Sequence, residues 1–541
     1  DKFNGLAVVG DVGGNLIHRN RLDSNGIEFI GRRIDQESEF VASRDTWFRP
    51  VQFANGPDGN LYVADMYREI IEHPWSFGDM IKPHLHLASG RDRGRIYRLV
   101  HDAANSPKRS YRLSGKTGPE LAGLLAHENV WHRETAARLL FERQDKSVVK
   151  AVRRVAAEAG NPLGRMHALY SLAGLSALRP ADLFSALNDR HPRVREHAVK
   201  LTEGLVGDDA SLRRKLMAMA NDPDLRVRFQ LAFTLGEIAD DSRLAALTVI
   251  ARRDSADKWV RLAVMTSLRD GADRVVADLL GDAEYRKSDG ARAMLGELAR
   301  MIARKNDAKE IDTLLAGLGD LGADEQALTL AVALGLRKGV STRSATYLRL
   351  TKAANPSSGI VRFRAVLNQA VALAADASRS LAERKDAINL IGLLPFARAQ
   401  EGLVRLLGGG ESGDLQKAVL GVLGLYREEA ITGLVVGLIP RLIPSVRTAA
   451  MDALFVRRER YPLILDAIER GDLNPGDLNA IQIQRICLNK DVVEAARAVR
   501  LLSPGRTNDR STVISDYGPS LRMSGDVKRG RELYRTACAT C

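Results

Sequence analysis

The stretch Asn188-Asp189-Arg190-His191-Pro192-Arg193-Val194-Arg195-Glu196-His197-Ala198 decides the reading of this 541-residue chain. Asn, Asp and Pro in close succession are turn formers. The residues after the turn have helical periodicity, with an arginine, a small or apolar residue three positions on and an apolar residue some four further. That pattern recurs as Arg133/Ala136/Leu140, Arg165/Ala168/Leu172, Arg195/Ala198/Leu201, Arg228/Leu231/Leu235 and Arg261/Val264/Leu268. The arginines are 32, 30, 33 and 33 residues apart. A second turn of the same kind, Asn221-Asp222-Pro223-Asp224, precedes Arg228. Each unit therefore reads as helix, turn, helix, and a fixed period of this size means stacked repeats. The rhythm weakens between residues 275 and 375 and returns at Arg384/Ala387, near Leu415/Ala418, and at Arg447/Ala450/Leu454.

The wording Pro-x-Val-Arg-x-x-Ala, here Pro192 to Ala198, resembles HEAT repeats. The resemblance implies an all-α solenoid over residues 115–505, with about ten to twelve helix pairs at a period shorter than the ~40 residues usual for such repeats. The repeated arginine is expected on the second helix near the turn, reaching an Asp of the adjacent repeat. Trp131, Phe141, Tyr170, Phe184, Phe229, Phe233 and Trp259 fall mostly at core spacing. Base-stacking platforms for nucleic acid are then not evident. A solenoid offers extended surface to a protein partner, or acts as a spacer.

Composition agrees. The chain is 45% hydrophobic and 27% charged, as ordinary globular chains are. No segment approaches the ~20 apolar residues of a membrane span. The formal net charge of +13 could mark a phosphate-binding surface. Acidic residues are interleaved throughout, however, and arginine recurs at repeat positions, so solvated helix faces account for it and nucleic acid is not the expected partner. The three cysteines, Cys487, Cys538 and Cys541, make no disulfide framework, and Cys487 reads as a buried small hydrophobe.

Residues 1–102 alternate with period two. Strands are expected at Leu6–Gly10, Asn15–Arg19, Phe29–Arg32, Val51–Asn55, Asn60–Asp65 and Gly94–Leu99. Gly56-Pro57-Asp58-Gly59 suits a type I turn with φ > 0 at Gly59. This spacing predicts the C-terminal blades of a β-propeller, roughly two of them, with the other blades upstream of Asp1. Trp47 and Trp75 are expected to pack within blades. His84 and His86 would share a strand face, a geometry open to a metal though without a third ligand.

The strings GDVGGNLIHRNRL, ASRDTWFRPVQFANGPDGNLYVADMYREIIEHP and GRDRGRIYRL resemble the closing blades of a large family common in planctomycetes and their relatives. Its members fuse a dehydrogenase-like propeller, similar to the soluble pyrroloquinoline-quinone sugar dehydrogenases, to HEAT repeats and a C-terminal c-type haem domain. The resemblance implies that Arg49 lines a cofactor or substrate pocket, where its fork of donors would meet a quinone carboxylate or a sugar hydroxyl. A salt bridge to Asp45 or Asp65 is its alternative employment. No catalytic base is assignable, since that family's base lies in earlier blades.

Residues 506–524 have linker composition, and residues 525–541 form a short amphipathic pattern running into Cys538-Ala539-Thr540-Cys541. Cys-x-x-Cys can be a haem attachment site, a redox dithiol or half of a zinc site. The order Gly525-Asp526, Gly530, Leu533-Tyr534, then Cys538 and Cys541, resembles the first helix of a c-type cytochrome. That implies covalent haem c at Cys538 and Cys541, an axial His just after Cys541, and a periplasmic or cell-surface location.

The chain is accordingly expected to be multidomain: a partial propeller (its last blades), a HEAT-like solenoid, and the start of a cytochrome c domain. The expected function is a redox protein in which a propeller oxidises a sugar or related alcohol and passes electrons through haem c to an acceptor of the respiratory chain. The alternative is a non-enzymatic scaffold that binds protein or polysaccharide.

Overall fold

The computed structural model describes residues 5–78, 81–100, 111–207, 209–340, 345–408, 410–502 and 515–534. They divide into two compact units, Asp1–Val366 and Leu367–Cys541.

Among the described residues, the first unit opens with seven strands. β1 (Leu6–Asp11), β2 (Leu16–Asn25) and β3 (Glu28–Arg33) form an antiparallel meander, and the two-residue β4 (Val41–Ala42) pairs with the start of β2. β5 (Pro50–Asn55), β6 (Leu61–Asp65) and β7 (Arg95–Leu99) form a second antiparallel sheet in chain order. Gly59 has φ +80° and its N–H donates to the Gly56 carbonyl at 3.1 Å, the type I turn its sequence predicts. Ile17, Phe48 and Val63 are the buried residues that join the two sheets.

These strands do not make a propeller. They are two small sheets in a chain that is otherwise helical, and the expected fold class is corrected accordingly. Alternation and turn residues specify hairpins; they do not specify sheets arranged about a central axis. Two further expectations fail with it. Trp75 is 88% exposed rather than packed, and Trp47 lies half-buried against the Tyr67 ring. His84 belongs to a short 3₁₀ turn, Lys82–His84, not to a strand.

Helices then come in pairs: α1 (Gly118–Leu124) with α2 (Val130–Arg143), α3 (Val149–Glu158) with α4 (Pro162–Gly174), α5 (Pro180–Ala186) with α6 (Pro192–Leu201), α7 (Ala210–Ala218) with α8 (Leu225–Thr234), and α9 (Arg243–Asp254) with α10 (Lys258–Thr266). First helices stack on first helices and second on second, giving two layers. Each second helix begins at a capping residue four positions before the repeated arginine. Asn129, Asn161, His191, Asp224 and Asp257 each accept the N–H two residues on. That satisfies a backbone donor the helix cannot satisfy itself. Ala136, Ala168, Ala198, Leu231 and Val264, three residues past each arginine, are wholly buried between the layers.

None of the seven aromatic residues is fully buried, although Trp131 packs against the core of the first repeats. Phe141, Tyr170 and Trp259 are exposed, and Trp131, Phe184, Phe229 and Phe233 are half-buried. The inner positions of the second helices take Ala, Leu and Val, so most of their rings stay partly or largely exposed.

α11 (Ala272–Gly281), the short α12 (Ala283–Arg286), α13 (Ala291–Lys305), α14 (Ala308–Gly319), α15 (Gln326–Gly339) and α16 (Ala345–Lys352) continue the first unit. α13 and α15 lie unusually close. A Cβ at Gly335 would stand 2.2 Å from the Gly296 carbonyl oxygen, and one at Gly339 2.4 Å from that of Arg300. α17 (Ser358–Ala375) carries the boundary between the units.

The second unit holds the rest of α17, then α18 (Leu381–Ile391), α19 (Phe396–Leu406), α20 (Gly413–Leu425), α21 (Ala430–Leu438), α22 (Pro444–Phe455), α23 (Tyr461–Glu469), α24 (Ala480–Cys487) and α25 (Val492–Leu502). α18, α20 and α22 stack in one layer, and α21, α23 and α25 in the other. Cys487 is half-buried and free. A last helix, α26 (Val527–Leu533), is capped by Asp526, whose carboxylate accepts from the N–H groups of Lys528 and Arg529. No helix among the described residues is long and apolar enough to cross a membrane.

Candidate binding surface

The repeated arginines form a ladder inside the first unit. The Arg165 guanidinium pairs with both oxygens of Asp189, at 2.6 and 2.7 Å, and its Nη1 donates to the Ala159 and Gly160 carbonyls of its own turn. Arg195 repeats this on Asp222 and the Asp189 carbonyl. Arg228 repeats it on Asp254 and the Asp222 carbonyl. Arg261 reaches Glu297 while its Nη1 holds the Ser255 and Ala256 carbonyls. For Arg165, Arg195 and Arg228 the role expected is the role found: bidentate pairs with an Asp of the adjacent turn, among the strongest polar contacts a protein makes. The charges of these arginines are paired inside the array rather than turned outward as a basic stripe.

The outer face of the second-helix layer is different. Leu163, Met166, His167 and Tyr170 of α4 face Arg193, Val194 and His197 of α6. The Tyr170 hydroxyl meets Nδ1 of His197 at 3.0 Å, with the two rings edge to face. A cavity of about 270 Å³ at the helix starts is lined by Asn161, Pro162, Leu163, Met166, His191, Arg193 and Val194. Burial holds both histidines below the ordinary imidazole range. The nearby charges of Arg133 and His197 add to this for His167, and those of Lys200 and Arg193 for His197. Burial raises the Tyr170 hydroxyl and the Glu196 carboxyl. Perturbed ionisable groups beside unburied apolar side chains are a common mark of binding sites.

The β-module rests on the starts of the second helices at two places. Asn129 Nδ2 donates to the Gly56 carbonyl at 2.8 Å, and His132 Nε2 meets the Pro57 carbonyl at 3.0 Å. At the tip of the β2–β3 hairpin, Arg226 donates to the Ile27 carbonyl at 3.0 Å and stacks over the Phe29 ring, while Lys258 pairs with Glu28 at 3.1 Å. A cavity of about 360 Å³ lies there, between Ser24, Gly26 and Phe29 on one side and Arg193, Asp224, Leu225 and Arg226 on the other.

Arg49 is 9% exposed. Its Nε, Nη1 and Nη2 donate to the carbonyls of Arg68, Val12 and Glu69 at 2.9, 2.6 and 2.8 Å. It thereby ties the end of β1 to the segment after β6. Asp65 accepts the Arg49 backbone N–H rather than its side chain. Cys538 and Cys541 lie outside the described residues. Among the described residues no group of three or more His, Cys, Asp or Glu is placed to hold a metal ion.

Of this surface, the ladder was legible in the sequence and the α4–α6 groove was missed. The available signal was an aromatic and two histidines at the outward positions of consecutive second helices.

The comparisons with known proteins bear on both parts of the chain. A family of HEAT repeats matches residues 180–269. The helical pairs over residues 180–269 are thus similar to HEAT repeats. Residues 1–103 match a family described as a domain of unknown function, DUF7133. No curated protein sequence matches the chain. Among solved structures, similar folds include karyopherin Kap121p bound to the extreme C-terminus of the protein phosphatase Cdc14p. It is 12% identical with a TM-score of 0.39, covering 74% of this chain and 50% of that one. Importin beta gives 9% identity and a TM-score of 0.39, covering 75% of this chain and 67% of that one. A homology model of the full-length AP-3 complex gives 11% and 0.34, covering 71% and 90%. The chain thus spans half the length of the Kap121p chain it matches.

Proposed function

We propose that this chain is a non-catalytic HEAT-repeat scaffold whose second-helix layer holds a protein partner, with the α4–α6 groove as its seat. The observation that supports this most directly is the groove itself: apolar Leu163 and Met166 lead into the Tyr170–His197 pair, beside the cavity at the helix starts. HEAT arrays present such continuous helical faces. A photoreactive phenylalanine analogue in place of Leu163 should cross-link one defined protein in the native host, and Tyr170→Ala should abolish the product. Cross-links that are absent, or unchanged by Tyr170→Ala, overturn the reading.

A second reading concerns Cys538 and Cys541 as thioether attachment points for haem c, in an extracytoplasmic protein. It is supported by α26, a capped helix that leads toward them with Val527 and Leu533 exposed rather than buried. When bound, the group would supply one-electron transfer. Haem staining of the denatured natural protein, produced with c-type maturation machinery, should be positive and lost in Cys538→Ala; a negative stain removes the reading.

A further inference from the structure

Among the described residues, Arg133 is the one rung of the first five repeats whose carboxylate is missing. It is 6% exposed, and its Nη1 donates to the His127 and Glu128 carbonyls at 2.7 Å, as the other rung arginines do to their own turns. Its Nε is buried and has no hydrogen-bond partner. In the next three rungs Nε and Nη2 together grip an Asp of the following turn. Asp189 and Asp222 stand six positions before the next arginine; the corresponding residue before Arg165 is Ala159. Glu158, one residue earlier, is exposed and forms no ion pair with Arg133 among the described residues. Arg243 and Arg460 are also buried without a carboxylate, but each turns Nη2 onto main-chain carbonyls: Asp270 for Arg243, Leu423 and Tyr426 for Arg460. Arg133 makes no such bond among the described residues.

We infer that the open fork of Arg133, in the rung whose Asp position is taken by Ala159, is a binding site for one carboxylate of an acidic side chain on a partner polypeptide. A buried guanidinium left half-satisfied carries a desolvation cost that a planar, two-oxygen acceptor removes best. Burial lowers the pKa of Arg133, against a smaller opposing effect of the nearby Glu134 charge, which forms no ion pair with it among the described residues. The carboxylates of the other rungs show how such a ligand would sit: Asp189, Asp222 and Asp254 keep side-chain exposures of 10, 6 and 8%, at the edge of the layer. The site is distinct from the α4–α6 groove, although the Arg133 charge also acts on His167 of that groove.

The test uses the whole chain labelled with ¹⁵N and, as probe, the blocked aspartate N-acetyl-aspartate N-methylamide. The Arg133 Nε–H resonance is the one absent from Arg133→Lys. It should shift saturably with the probe and stay in place with sodium chloride of matched ionic strength. Ala159→Asp should supply the carboxylate from the chain itself, raise the melting temperature and abolish the shift. An equal response to chloride, an unchanged response in Ala159→Asp, or a lower melting temperature of that variant overturns the inference. Ala159→Asp keeps the test decisive even if Arg133→Lys folds poorly.

Discussion

Asp222 holds two arginines from two repeats at once: its carboxylate takes Arg195 at 2.7 and 2.8 Å, and its carbonyl takes Nη1 of Arg228 at 2.5 Å. Asp189 does the same one repeat earlier, with its carboxylate on Arg165 and its carbonyl on Arg195. Asp222→Ala should therefore cost about 3–5 kcal/mol, the usual penalty for stranding one partner of a buried pair. Urea unfolding of the variant and the parent reads this directly, and a loss below about 1 kcal/mol would show that the ladder contributes little to stability.

Gly335 has no room for a side chain. Gly335→Ala would place a methyl 2.2 Å from the Gly296 carbonyl oxygen and 2.8 Å from the Ala299 Cβ. Forcing α13 and α15 apart should cost at least the ~1–3 kcal/mol of an overpacked core. Gly281→Ala, where nothing lies within 4 Å, is the control and should stay within about 0.5 kcal/mol of the parent.

Stability should fall as the pH drops through the histidine range. His167 and His197 have folded pKa values below the unfolded one, so the unfolded chain binds more protons between the two values and acid favours it. The contribution is whole above the unfolded value of about 6.5 and is lost as pH falls from there toward the folded pKa values. Replacing both residues by Gln should flatten the unfolding free energy between about pH 7 and pH 5, measured in the same buffer series. Glu196 acts in the opposite sense at lower pH. Burial raises its pKa, so its contribution is present below the unfolded value of about 4.3 and is lost as pH rises through the folded one.

Arg226 fastens the β2–β3 hairpin tip. Arg226→Ala removes the bond to the Ile27 carbonyl and the stack on Phe29, which is already 54% exposed. Such contacts are individually worth about 0.5–1.5 kcal/mol. Hydrogen exchange should quicken at residues 24–29 with little change in α8. Equal protection in the two proteins would mean that Glu28 and Lys258 hold the tip alone.

The arginine period was legible because each rung needs one residue type at one place: a long planar cation four positions past a cap, with a small or aliphatic neighbour three further on. The caps themselves were visible as turn composition at Asn188–Pro192 and Asn221–Asp224. The rhythm faded after residue 275 because α13 and α15 meet through Gly296, Gly335 and Ala299, and close backbone approach leaves no arginine signature. Most strands were placed to within a residue or two, though β2 runs on to Asn25 and β4 was not foreseen; their assembly was misjudged, since hairpin signals are local and the number of sheets around them is not. The aromatic side chains were assigned to the core on spacing alone. Spacing identifies a face of a helix without saying whether a second layer covers it.

The β-module touches α2 through Gly56 and Pro57, and α8 and α10 through Ile27, Glu28 and Phe29. A helical array bends by summing small rotations between neighbours. Tying its first pair to its fourth and fifth closes that stretch into a mechanical loop, in which no joint can rotate unless the others compensate. The stretch should then behave as a stiff beam, with the elastic compliance of the first unit concentrated in the joints from α11 onward.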